Sequence, residues 1–235
     1  MTQHIAVVDW SPEWTVMFEK EAELIQRILG ENCVAIYHIG STSVPGLSAK
    51  PIIDMMPVVK NIEGVDHTRS EFEKAGYEYM GEFGIPGRRY LRKGGDERTH
   101  QIHIFEQSNS QDIERHLAVR DYLRTHKDAC DEYARLKKAL AEKYPYDIDG
   151  YCDGKDAFVK KLEETALLWK KSFCNRKCTP EEDLQKIVWK EGKKMEQEII
   201  CSSEADSDYI HEKLREHNAR YMRDTGDYNF HNRER

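Results

Sequence analysis

The feature that most constrains this chain is a Gly-Ser turn ending one apolar segment, followed by an acid embedded in the next. Val34 to Ile39 reads as a strand running straight into Gly40-Ser41. Thirteen residues after Ser41 comes Asp54, inside the apolar run Ile52-Ile53-Asp54-Met55-Met56 that continues to Val59. A carboxylate in such a strand is costly to bury unless it binds a metal, accepts hydrogen bonds or lies at an open strand edge. Glycine lets the backbone approach a phosphate closely, and a serine hydroxyl with neighbouring N–H groups can bond phosphate oxygens. Gly40-Ser41 alone is an ordinary turn; with Asp54 on the next strand, the pair favours a phosphate site. A P-loop is excluded, because Gly46 is followed by Leu47 and Lys50 by Pro51, and no GxGxxG is present.

The surrounding pattern predicts an α/β (α+β) fold, a mixed sheet flanked by helices. Residues 4–8 read as a short strand. Ser11-Pro12-Glu13 marks a helix start, with a capping serine, a proline at the first helical position and an acid in the first turn. Trp14, Met17, Phe18, Ile25, Ile28 and Leu29 then share one face up to Gly30. A polar helix is expected over 66–75, ended by Gly76, then strands at 77–80, 88–93 and 98–106. Gly94-Gly95-Asp96-Glu97 separates the last two as a hairpin turn. Residues 111–144 are helical in pattern, and a helix over 154–171 closes the region. Residues 172–200 are polar, with Ile199-Ile200 and a helix at about 205–222 the only ordered candidates. This tail is too short and polar to build its own core.

Six scattered cysteines, no apolar run near the ~20 residues that span a bilayer, and the polar start Met1-Thr2-Gln3-His4 point to a reduced cytoplasmic protein without a membrane partner. Cys174, Cys178, Cys201 and His211 could form a zinc set, but their intervals match no standard finger, and scattered thiols are favoured. The net charge of -7 argues against nucleic acid as a partner.

The string HIGSTSVPGL, followed by AKPIID, resembles the GrpB family of the nucleotidyltransferase superfamily. So do Trp14…Phe18, Pro86-Gly87-Arg88-Arg89-Tyr90, Thr99-His100-Gln101-Ile102-His103, His116…Arg120-Asp121-Tyr122-Leu123-Arg124 and Tyr151…Gly154-Lys155…Phe158. The resemblance covers residues 4–171. It implies a nucleotidyltransferase-like fold and a nucleotide or CoA-like small molecule as ligand, with Mg²⁺ or Mn²⁺ as cofactor for nucleotidyl transfer. The superfamily pattern has a second acid two residues after the first; here that place is Met56, whose thioether is a poor ligand for hard cations. In the tail, Ile199-Ile200-Cys201, Asp208 to Leu214 and Asn218…Tyr221…Asp227-Tyr228 weakly resemble the opening of a GNAT-type acetyltransferase. That suggests a linker and truncated fragment over 172–235, lacking the acetyl-CoA pyrophosphate loop.

The candidate residues follow. Asp54 would act at the catalytic centre and hold the metal. Glu106, at the far end of its strand, would replace the missing carboxylate, with His103 as a further catalytic or ligating group. His38, Gly40, Ser41, Thr42, Ser43, Lys50, Arg89, Arg120 and Lys155 are the phosphate candidates. Each lone histidine is equally readable as a hydrogen-bonded structural group, and the His116–Arg120–Arg124 stripe as a phosphate clamp or a plain surface stripe. Three functions remain in competition: metal-dependent nucleotidyl transfer, a ligand-binding module that has lost chemistry, and a protein-interaction scaffold.

Overall fold

In a computed structural model the chain is described at residues 4–174, 186–190 and 193–195. Helix α1 (Glu13–Leu29) begins where the sequence places it, and the Ser11 hydroxyl accepts the Glu13 N–H at 3.2 Å. It buries Trp14, Phe18, Ala22, Ile25 and Leu29, with Met17 and Ile28 partly covered. Residues 4–8 do not form a strand; Val8 makes only an isolated bridge to Ala49.

Strand β1 (Cys33–Ile39) pairs antiparallel with β2 (Ile53–Val59). The expected helix over 66–75 is two short pieces, α2 (Glu63–Asp66) and α3 (Arg69–Lys74). After them come β3 (Tyr77–Tyr79), β4 (Arg88–Lys93) and β5 (His100–Glu106), the last two an antiparallel hairpin as the double glycine predicts. Strand β5 pairs parallel to β2, which makes the sheet mixed. The five strands run in the order β3-β4-β5-β2-β1. Strands β6 (Lys186–Lys190) and β7 (Lys193–Met195) extend the β1 edge, antiparallel. The polar composition of 172–200 gave no expectation of β6, although Ile187-Val188-Trp189 is a short strand-favouring apolar run within it; β6 lies between β1 and β7.

Residues 111–144 split into α4 (Ser110–Thr125) and α5 (Lys127–Lys143), and α6 (Ile148–Cys174) starts six residues earlier than its apolar stripe indicates. One sheet face buries Ile36, Ile53, Met55, Leu91, Ile102 and Ile104 against α1, α2 and α3. The other buries Ile39, Met56 and Phe105 beside Ile113 and Leu117 of α4. Helices α4, α5 and α6 close over the 40–50 loop through Val44, Leu47, Leu123, Tyr133 and Leu162. Gly154 lets α5 and α6 approach closely, since a Cβ there would collide with the Leu140 side chain.

The tail resemblance at 199–228, and the side chains of the Cys174–Cys178–Cys201–His211 set, lie outside the described residues.

Candidate anion-binding cleft

A cleft of about 200 Å³ opens where the 40–52 loop and the starts of β2 and β5 meet α5 and α6. The loop contributes Ser41, Thr42 and Lys50; the sheet contributes Asp54, Gln101 and Tyr90. Helices α5 and α6 contribute Tyr133, Lys137, Tyr151, Cys152 and Lys155. Among the described residues, three ammonium groups thus converge with a single carboxylate.

Local geometry explains the loop. Gly40 has φ 68°, a left-handed conformation that favours glycine, and a Cβ there would run into the Asp54 carboxylate. Glycine is therefore required twice over, for the turn and for the close approach of Asp54. A single turn of 3₁₀ helix, Ser41–Ser43, follows. It is pinned from several sides. Trp10 Nε1 donates to the Thr42 carbonyl at 3.2 Å, and the Thr42 hydroxyl donates to the Ile52 carbonyl at 3.2 Å. Because that hydroxyl is already spent as a donor, His38 Nε2, 3.0 Å away, donates to Thr42 Oγ1. The Ser43 hydroxyl donates to the Gly40 carbonyl at 2.6 Å, and Arg124 donates Nε and a terminal nitrogen to the Ser43 carbonyl at 3.1 and 3.0 Å.

Asp54 sits beside Ile39 and Gln101 in the sheet ladder. Among the described residues its carboxylate makes no hydrogen bond or ion pair. Burial raises its pKa to about 6, and the positive charges of Lys50, Lys155, Lys137 and Arg98 limit the rise. Lys137 is only 3% exposed, donates to Ser41 Oγ at 2.9 Å, and lies 4.3 Å from the Tyr133 ring centre. Burial, and next the charge of Lys155, lower its pKa to about 7. Lys50 and Lys155 lie 5.6 and 5.7 Å from the centre of the Tyr151 ring, and burial pulls the Lys50 ammonium below its ordinary value.

Of the residues singled out in the sequence, Ser41, Thr42, Lys50, Asp54 and Lys155 line this cleft, with Gly40 at its rim. The structure does not bring Glu106 there. Glu106 is five residues beyond Gln101 on β5, about 16 Å at the strand rise, and on the opposite face by alternation. Its carboxylate instead accepts the Ile62 N–H at 3.0 Å and the Ser108 hydroxyl at 2.7 Å. His103 shares the face of Gln101 but lies next to Arg88, with Nδ1 3.3 Å from an Arg88 nitrogen; Tyr90, its ladder partner, lines the cleft instead.

His38 stacks on Phe18 at 4.8 Å, and burial lowers its pKa to about 3, so it is a neutral support for the loop. Ser43 is likewise consumed by backbone bonding. Arg89 lies on the face of α2, where it grips Asp66 at 2.6 and 2.7 Å. Arg120 pairs with Asp121 at 2.7 Å and reaches the His38 carbonyl at 3.4 Å. The Arg120–Arg124 stripe does face the sheet, yet it is neither the phosphate clamp nor the plain surface stripe weighed for it, because it grips the chain's own carbonyls.

The place of the second acid, Met56, is fully buried among Ile39, Ile85 and Phe105. Among the described residues no group of three or more His, Cys, Asp or Glu converges on one point. Among the described residues, one carboxylate amid three lysines, with neutral oxygens of Ser41, Thr42, Gln101 and three tyrosines as the other lining oxygens, is a poor donor set for Mg²⁺ or Mn²⁺. The residues present do not fit a cation held by the protein, and the expectation that Asp54 and Glu106 hold one together is corrected by their separation.

The family model described as GrpB protein matches residues 4–165. The chain belongs to the GrpB family. A GrpB protein of known crystal structure, from Enterococcus faecalis, is 53% identical, covers 72% of this chain and 99% of its own, and superposes with a TM-score of 0.69. The UPF0157 protein YqkA of Bacillus subtilis is 46% identical over 171 residues, 73% of this chain and 50% of that protein, so the GrpB chain spans only half of that relative. The glutamate-rich protein GrpB of Alkalihalophilus pseudofirmus is 35% identical, over 67% of this chain and 93% of its own. The GrpB match stops short of the tail, and its acetyltransferase resemblance finds no support in these relatives.

Proposed function

We propose that the GrpB cleft binds a nucleotide or another phosphate-bearing small molecule. The carrying observation is the convergence of Lys50, Lys137 and Lys155 with the Ser41 hydroxyl on a cleft that holds a single carboxylate. Three ammonium groups against one carboxylate leave net positive charge in a partly desolvated space, where Coulomb attraction is stronger than in water. Lysine acts on phosphate as a flexible point charge, and the loop turn adds the Ser41 hydroxyl. The rings of Tyr133 and Tyr151 supply apolar wall for the rest of the ligand. Isothermal calorimetry against a panel of nucleoside mono-, di- and triphosphates and CoA tests the reading. Binding that weakens in Lys137→Met supports it; no heat from any member contradicts it.

A second reading, nucleotidyl transfer, is favoured by one observation. Among the described residues Asp54 is unpaired; it faces the cleft and has a pKa near 6, so at neutral pH it is mostly a carboxylate able to accept a proton from an attacking hydroxyl. Incubation with labelled nucleoside triphosphates tests it, and product formation unchanged in Asp54→Ala would sink the role given to Asp54. Residues 1–171 as the functional domain, in the cytoplasm, complete the proposal.

A further inference from the structure

We infer that the cleft takes the phosphate chain of its ligand as the metal-free anion, with Lys50, Lys137 and Lys155 occupying the electrostatic place of a divalent cation. The inference rests on the phosphate-binding reading and narrows it. A magnesium-bound triphosphate carries its own cation, and proteins that prefer this form usually add one or two carboxylates to the waters and phosphates of the metal's oxygen shell. Here the position for a second carboxylate is Met56, sealed in the apolar core, and Glu106 stands at the other end of β5 on the opposite face. The cleft wall sets three ammonium groups against the one carboxylate of Asp54. Lys137 is held in place by the Ser41 hydroxyl at 2.9 Å, and Lys50 and Lys155 each lie over the Tyr151 ring. Placing Mg²⁺ among them sets like charges together at short range, whereas a bare phosphate chain satisfies them and repays the burial of Lys137.

Calorimetry on the full chain with ATP and with inorganic tripolyphosphate, each in EDTA and in excess Mg²⁺, tests this. The expected result is binding of both in EDTA, weakened about tenfold or more by Mg²⁺. Lys50→Met should shrink that difference while leaving the protein folded, as judged by circular dichroism. Binding that appears or tightens only with Mg²⁺ overturns the metal-free inference and leaves the phosphate-binding reading standing. No binding of either compound in either condition overturns both.

Discussion

Replacing Asp54 by asparagine should make the protein more stable, and the gain should depend on pH in a direction the cleft dictates. The carboxyl's pKa rises from 3.8 to about 6 in the fold, so the folded state holds a proton more tightly than the unfolded chain. Stability due to this group is therefore highest at or below pH 3.8 and is lost as pH rises through about 6, above which the full cost of the buried charge is present. Two units correspond to about 3 kcal/mol at ~1.4 kcal/mol per unit. Partial solvent access at the cleft mouth screens this, leaving a gain of about 1–2 kcal/mol for Asp54→Asn above pH 6. The isosteric amide keeps the space beside Gly40 filled, so no cavity offsets the effect. Urea denaturation of both proteins across this pH range measures it. A variant less stable than the parent above pH 6, or a difference that does not shrink toward acid pH, would refute the reasoning.

Lys137→Met should lower triphosphate affinity about tenfold or more while leaving stability equal or higher, because it removes a buried charge together with its anion contact; calorimetry and thermal denaturation read the two effects separately. With a Lys137 pKa near 7, triphosphate affinity should fall as pH rises through about 7, and the step should be absent from Lys137→Met; a flat profile in the parent counts against Lys137 as a ligand. Gly40→Ala should cost about 1–3 kcal/mol through its left-handed backbone and the collision with Asp54, visible as a lowered denaturation midpoint. Glu106→Gln should leave triphosphate affinity unchanged, and a loss would return Glu106 to the site.

The Gly40-Ser41 turn and Asp54 were legible because both signals are local: a strand ending in a turn, and an acid where apolar residues belong. Strands β1, β2, β4 and β5 were legible for the same reason. Helix breaks at 125–127 were not, because the apolar stripe runs through the kink. Lys137 was missed, since it joins Ser41 only by folding, 96 residues apart. One sequence signal did exist: it interrupts the stripe of Cys130, Tyr133, Leu140 and Ala141, where a lysine is out of place. Glu106 was misplaced because a strand's far end looks adjacent in sequence while extended geometry carries it away. The arginines of α4 showed the right face but not their partners, for a carbonyl of the protein's own loop attracts a guanidinium as a phosphate does. His38 carried the same ambiguity, settled by Phe18 and Thr42 on either side of its ring.

The central claim is that the lysine-lined cleft is where phosphate binds. NMR of the protein labelled at lysine side-chain carbons, titrated with tripolyphosphate, tests it most directly. Phosphate bound in the cleft should shift Lys50, Lys137 and Lys155, and should move the Lys137 titration midpoint upward from about 7 as the anion holds its proton in place. Shifts confined to exposed lysines, with Lys137 titrating as before, would contradict it.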